Sequence, residues 1–205
     1  FGLDPTLFLS GCTEIPYGLC EYDWVGGVKG EPVEVIRGPV TGLPLPANAE
    51  IVIEGYVHPE TQLAEGPFGE WTGYYGSLER EEPVVEVKAL YHRNNPILLG
   101  SPPSKPPDEH SFFRGFMRAA NIQEQLENAG LPGVSGVWCF GVGGSRLLTV
   151  VAINQRYAGH ARQVGIAAAS CQAGAYLGRI VVVVDDDIDM FDLDDVMWAM
   201  CTRTD

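Results

Sequence analysis

Two glutamates, Glu65 and Glu70, stand five residues apart in Ala64-Glu65-Gly66-Pro67-Phe68-Gly69-Glu70-Trp71-Thr72-Gly73-Tyr74-Tyr75, with two glycines and a proline between them. Such a spacer favours a fixed irregular loop that can aim both carboxylates into one cleft. Desolvation by the aromatic neighbours and the closeness of two like charges both raise a carboxyl pKa. One acid of such a pair can then stay protonated near neutrality and deliver a proton. The same residues also suit a surface hairpin with two solvated acids, and composition does not decide between the two.

Glu21 is a second candidate, an acid beside aromatics in Cys20-Glu21-Tyr22-Asp23-Trp24-Val25-Gly26-Gly27, where a strand is expected to begin. Just before it, Ser10-Gly11-Cys12-Thr13 forms a short turn whose carbonyls suit a hard, oxygen-seeking cation or serve only to join two elements. Other stretches resemble known sites without meeting their requirements. Gly141-Val142-Gly143-Gly144 precedes an apolar strand rather than a helix start, so it reads as a hairpin turn and not a phosphate loop. Asp185-Asp186-Asp187-Ile188-Asp189 lacks the mid-loop glycine and closing glutamate of a calcium loop, and reads as a strand-to-helix junction. The four histidines show no metal spacing, and no G-x-S-x-G turn is present, which argues against zinc and serine hydrolases.

These groups belong to a chain of 205 residues with 45% apolar content, enough to bury a core. Thirteen Lys and Arg against 27 Asp and Glu give a formal charge of −14, which repels phosphate backbones and anionic membranes. The longest apolar runs, such as Ile180 to Val184, are too short to cross a bilayer, so a soluble protein is expected. Five cysteines, an odd number without C-x-x-C spacing, read as reduced thiols in a cytoplasm. The chain opens on Phe1 and stops at Asp205 without polar tapering, as expected of part of a larger protein.

The elements that must position the candidates fall into two halves. Residues 1–100 are rich in Gly and Pro and carry β-branched runs at Pro32–Arg37, Glu50–Val57 and Val84–His92, which predicts a β-barrel or sandwich. One short helix is expected before them, with Asp4 as cap and Pro5 in its first turn, and no second helix is expected before Ser101. Residues 101–107 hold four prolines and predict an extended linker. From Asp108 the pattern becomes α/β. It comprises a helix to about Asn128, strands at Val134–Phe140 and Leu147–Ile153, a helix over about Tyr157–Ala173, a strand at Ile180–Val184 and a helix over Asp192–Met200.

Several ordered segments resemble the UbiD family of reversible decarboxylases that use prenylated flavin mononucleotide. They are Glu21-Tyr22-Asp23 with Gly26 to Val33, Ala49 to Gly55, Glu65 to Glu70 with Thr72 to Tyr75, Tyr91 to Ile97, Asp185 to Asp189, and Val196 to Ala199 with Thr202-Arg203. The resemblance spans essentially the whole chain. It implies part of a split β-barrel flavin-binding domain over 1–100 and an α/β oligomerisation domain over 108–205. Glu65 and Glu70 correspond to the two glutamates of the family's Glu-Arg-Glu network, with Glu70 the proton donor. Glu21 corresponds to the acidic ligand of the divalent ion, Mn2+ or Mg2+, that holds the flavin phosphate, and Ser10, Gly11 and Thr13 lie where carbonyls bind K+. The network arginine and the Asn and His of the ion site are expected before Phe1, and a flavin-phosphate lysine after Asp205.

The implied activity is non-oxidative, reversible decarboxylation of an unsaturated, aromatic or heteroaromatic carboxylic acid by a cytoplasmic homo-oligomer, dimer or hexamer, supplied with cofactor by a flavin prenyltransferase. Trp71 follows the proton donor, and Arg114 lies on a helix that by resemblance approaches the substrate. Either Arg114 faces solvent, or, buried among Phe112, Phe113, Phe116 and Met117, it needs a partner. The second case implies a substrate with a further anionic or polar group. The competing class is a non-catalytic oligomerisation fragment that binds no flavin alone.

Overall fold

The computed structural model describes residues 1–102 and 104–203 as a mixed α/β chain. Pro103 of the proline-rich linker, and Thr204 and Asp205 of the second half, lie outside the described residues. Contacts divide the chain into two units, Phe1–Gly11 with Gly18–Lys105, and Cys12–Tyr17 with Pro106–Asp205.

In the first unit, helix α1 (Pro5–Ser10) starts where Asp4 accepts the Thr6 amide at 2.9 Å and Pro5 opens the first turn. Helix α2 (Glu21–Lys29) replaces the strand expected to begin at Glu21, and so also corrects the expectation of a single helix before Ser101. Glycines and aromatics suggested a strand. The helix instead follows its end signals: Glu21 and Asp23 in the first turn, Lys29 in the last, and Gly30 at φ 73° as a left-handed cap. Lys29 Nζ reaches back to Asp4 at 3.0 Å and joins the two helices over buried Leu7 and Val25.

Strands β1 (Val35–Arg37) and β2 (Pro44–Pro46) form one antiparallel pair. Strands β3 (Ile51–Glu65) and β4 (Arg80–His92) form a second, a long ribbon with register shifts at Glu54/Gly55 and Val57/Gln62. These two-stranded sheets are small, and neither closes into a barrel. Glu54 fastens the turn after β1 to the ribbon. Its buried carboxylate accepts from the Thr41 amide at 2.9 Å, the Thr41 hydroxyl at 2.7 Å and the Tyr91 hydroxyl at 2.8 Å. Burial pushes the carboxyl up, but the bonds from Thr41, Tyr91 and Val40 together hold it below its ordinary value.

The second unit is a three-stranded sheet of order β5 (Val134–Cys139), β6 (Leu148–Ile153), β7 (Ile180–Asp185). The first pair is antiparallel, joined through a 3-10 turn at Gly141–Gly143, and the second is parallel, so its connection carries helices. Asp108 caps α3 (Glu109–Asn128), accepting the Ser111 amide at 2.9 Å. One core gathers Ile122, Leu126, Val151, Ile153, Val164 and Ala168, and a second gathers Val150, Ala152, Val184, Ile188, Val196 and Ala199. The single helix expected over Tyr157–Ala173 is two, α4 (His160–Ser170) and α5 (Gln172–Ala175), with Cys171 extended between them. The chain folds back tightly there, since a Cβ on Gly174 would stand 1.8 Å from the Ala168 carbonyl oxygen. The acidic run after β7 is a junction to α6 (Leu193–Arg203), closed by Arg203 on Asp187 at 2.8 and 2.9 Å.

Candidate active site

Glu65 is the last residue of β3 and stands opposite Arg80, the first residue of β4, so it lies at the far end of the ribbon. Beyond it the chain forms a smaller hairpin. Gly69 bridges Tyr75, the Glu70 amide donates to the Tyr74 carbonyl at 2.9 Å, and the Gly73 amide donates to the Glu70 carbonyl at 2.9 Å. Gly73 sits at φ 83°, a conformation that favours glycine, and permits the reversal. Glu70 is therefore fixed through both its backbone groups. Its side chain lies against Gly76, where an added Cβ would come within 2.5 Å of Glu70 Cγ.

The structure brings the two acids onto one hairpin, and for Glu65 it corrects the expectation that aromatic neighbours desolvate it. Phe68, Tyr74 and Tyr75 are themselves exposed, as is Glu65, while Glu70 and Trp71 are half-buried. A two-stranded ribbon offers no second layer against which those rings can close.

Glu21 is exposed at the head of α2, among two first-turn carboxylates rather than on a strand. Ser10 is buried and donates its hydroxyl to the Leu7 carbonyl at 2.8 Å, Gly11 caps α1, and the Thr13 carbonyl accepts the Ile15 amide at 3.0 Å. These three residues thus have local structural work. Among the described residues, no three or more His, Cys, Asp or Glu side chains gather to hold a metal ion. A concavity of about 610 Å³ in the first unit, lined by Leu7, Val25, Lys29, Pro32 and Ala49 among others, includes none of the candidate residues.

Arg114 belongs to the second unit and does not face solvent. It is buried, and its Nη2 lies 2.9 Å from His110 Nε2 one turn earlier, so that imidazole nitrogen accepts and carries no proton. Burial first, and then the Arg114 charge, hold the His110 pKa below its ordinary value. Phe112, Phe113 and Phe116 point outward instead. Sequence reasoning passed over Arg118, which is only 1% exposed. Its signal was position: with Ser111, Ile122 and Leu126 it continues the buried stripe of α3, where a charge is out of place.

Residues 1–106 match the 3-octaprenyl-4-hydroxybenzoate carboxy-lyase Rift-related domain, and residues 111–205 match the C-terminal domain of the same carboxy-lyase. The chain belongs to the UbiD family. It is 33% identical over 205 residues to a phenolic acid decarboxylase of Bacillus subtilis (strain 168), covering 98% of this chain and 42% of that protein. Among solved structures, it is similar to an evolved dimeric form of the UbiD-class enzyme HmfF from Pelotomaculum thermopropionicum in complex with prFMN. The TM-score is 0.85 and the identity 32%, over 97% of this chain and 45% of that one. Vanillic acid decarboxylase of Sedimentibacter hydroxybenzoicus in its closed form superposes with TM-score 0.86 at 30% identity, over 97% of this chain and 41% of that one. The UbiD chain described here thus spans under half the length of these relatives. Among its described residues no helix is long and apolar enough to cross a membrane.

Proposed function

We propose that this chain is the part of a prenylated-flavin-dependent carboxy-lyase that carries the proton donor. The observation that supports this most directly is Glu70 pinned by its backbone in a closed hairpin, with Glu65 at the base of the same hairpin. Loss of carbon dioxide from an sp2 carbon leaves a carbanion, so the reaction needs an electron sink and a poised acid. The prenylated flavin supplies the sink when bound. Glu70 holds the proton and gives it to the carbon that carbon dioxide has left, and Glu65 sets the charge around Glu70. Trp71 offers a ring against an unsaturated, aromatic or heteroaromatic acid, and Arg114 offers a charge to a further polar group on it.

For the divalent ion, Mn2+ or Mg2+, the donor chemistry of Glu21 fits, since such ions take carboxylate oxygen. It fits as one ligand of such a set. Ser10, Gly11 and Thr13 are proposed to contribute carbonyl oxygen to K+. Residues 1–100 are read as part of a split β-barrel that binds flavin, 101–107 as a linker, and 108–205 as an oligomerisation domain. The whole is read as a cytoplasmic homo-oligomer served by a flavin prenyltransferase.

The exposure of Glu65 and the aromatics favours a second reading of the isolated chain, an assembly fragment that binds no flavin by itself. Visible absorbance of the purified chain separates the two. In the whole enzyme, Glu70→Gln keeps the shape but removes the transferable proton and is expected to slow turnover by roughly 10²- to 10⁴-fold. Wild-type turnover would refute the donor role.

A further inference from the structure

Strand β7 ends the three-stranded sheet on one side, since among the described residues it pairs with β6 alone. Its sequence is not that of a protected edge. Edge strands are kept from pairing with other chains by lysines, prolines, bulges or inward charges, and residues 180–184 hold none of these. Both faces are covered instead, as in a strand with a neighbour on either side. Val181 and Val183 pack on the core that holds Val164 of α4, and Val182 and Val184 on the core that holds Val196 of α6.

The register with β6 shows which backbone groups are left open. The Ile180 amide donates to the Leu147 carbonyl at 2.8 Å, and the amide and carbonyl of one residue point to the same side of a strand and alternate along it. Ile180, Val182 and Val184 thus bond to β6, while Val181 and Val183 turn both groups away from it. The helices leave room at this edge. Val182 and Val183 point to opposite faces, yet both line one concavity of about 190 Å³ with Ala161 of α4 and Met200 of α6. On the same two helices Ile166 and Met197 are exposed. Ile166 follows Gly165, where an added Cβ would stand 3.4 Å from Val183, and Met197 lies one turn before Met200.

The charges that bound the strand point to its occupant. Arg179 precedes β7 and Asp185 ends it, both are exposed, and Val182 stands midway between them. Turned end for end about Val182, segment 179–185 meets its own copy with each arginine opposite an aspartate. In that register Val181 lies opposite the partner's Val183, and Val183 opposite the partner's Val181, so that the open amides and carbonyls face one another. A shift of two residues sets Asp185 opposite Leu177 or Val181 instead.

We infer that β7 pairs antiparallel with β7 of a second copy of this chain, across a two-fold axis at Val182, to make one continuous sheet. This names an interface for the oligomerisation domain proposed above, and for the whole enzyme it rests on that reading.

Sedimentation velocity of the 205-residue chain over a range of concentrations tests the inference. The wild type is expected to show a monomer–dimer equilibrium. Arg179→Asp sets two acids at each contact and Asp185→Arg two arginines, so each variant alone is expected to weaken the dimer by about ten- to a hundredfold. An equal mixture of the two variants is expected to recover it, because every contact then joins an aspartate to an arginine. Hydrogen exchange at the Val181 and Val183 amides is expected to slow as the wild-type concentration rises, a readout that needs no variant and decides the matter should either one fail to fold. A monomer at every concentration, a dimer indifferent to both reversals, no recovery in the mixture, or exchange at Val181 and Val183 independent of concentration would overturn the inference. A dimer that ignores the reversals sinks this interface and leaves 108–205 an oligomerisation domain; a whole enzyme that stays monomeric while the 205-residue chain dimerises does the reverse.

Discussion

Arg114 Nη2 meets His110 Nε2 at 2.9 Å across one turn of α3, so a buried guanidinium and a half-buried imidazole lie side by side, with the capping Asp108 carboxylate also acting on the imidazole. The contact holds only while the imidazole is neutral, since a protonated ring offers no acceptor.

A pH dependence of folding follows. The His110 pKa is lowered in the folded state by burial and by Arg114, while the unfolded chain titrates near about 6.5. As pH falls below that value the unfolded state takes up a proton that the folded state refuses, so stability declines until the lowered folded pKa is reached and then levels. Above about pH 7 the group contributes no slope. Urea denaturation followed across pH 5 to 8 is expected to show this decline, and His110→Gln to flatten it. An unchanged slope in the variant would assign the effect to another group.

Gly115 tests how closely α3 approaches the sheet. A Cβ there would stand 2.8 Å from Ser145 Oγ and 2.9 Å from the Cys139 carbonyl oxygen, and the second is backbone that cannot swing away. Gly115→Ala is therefore expected to cost about 1–3 kcal/mol through overpacking. The gain in helix propensity, about 1 kcal/mol, offsets only part of this. Equilibrium unfolding of the two proteins measures the balance, and a stabilised variant would show that the helix can move outward freely.

The second half of the chain was legible because its signals agree. Asp108 as cap, the apolar stripe through Ile122 and Leu126, and Gly130 at φ 75° mark α3 at both ends. The unbroken apolar run Ile180–Val184 reads as a strand, and it pairs in parallel with β6 at the edge of the three-stranded sheet. The first half misled where local composition and end signals disagree: Gly26 and Gly27 weaken α2 from within, yet its termini and the docking of Val25 decide the outcome. In the candidate site, the rigid spacer between Glu65 and Glu70 was readable, because glycine and proline act through the backbone. Exposure was not, because whether Tyr74 and Tyr75 cover an acid depends on a layer that no local pattern describes. Arg114 and Arg118 show the same limit. Four-residue spacing puts them on the face that carries Ile122 and Leu126, but only the packed helix shows that their guanidinium groups stay on that buried face rather than reaching out to solvent.

Glu21 is the site acid whose proposed role can be checked without catalysis. As an exposed carboxylate in the first turn of α2, it contributes little to the core, so Glu21→Ala is expected to leave the thermal melt nearly unchanged. Loss of an anionic oxygen ligand is expected to lower the bound manganese or magnesium and, with it, the retained flavin of the whole enzyme. Elemental analysis beside flavin absorbance decides, and equal metal in both proteins would remove Glu21 from the ion site.

Gly76 offers a way to move the proposed proton donor without changing it. Its α-carbon lies so near Glu70 that an alanine methyl would stand 2.5 Å from Glu70 Cγ and 3.4 Å from Oε1. The Glu70 backbone is held on both sides by the Tyr74 carbonyl and the Gly73 amide, so relief must come from rotation of the side chain. Gly76→Ala therefore keeps the carboxyl and its charge but swings it from its position. Misplacement of a reacting group by about 1 Å can cost about 100-fold in rate, so turnover of the whole enzyme is expected to fall by roughly 10- to 100-fold. The fall should appear in kcat with little change in KM, because a proton delivered after carbon dioxide leaves does not hold the substrate in the ground state. Gly76→Ala combined with Glu70→Gln should then be no slower than Glu70→Gln alone, since both changes act through one group. A double variant slower by the full product of the two would mean that Gly76 acts on the hairpin at large, and that the contact with Glu70 is incidental.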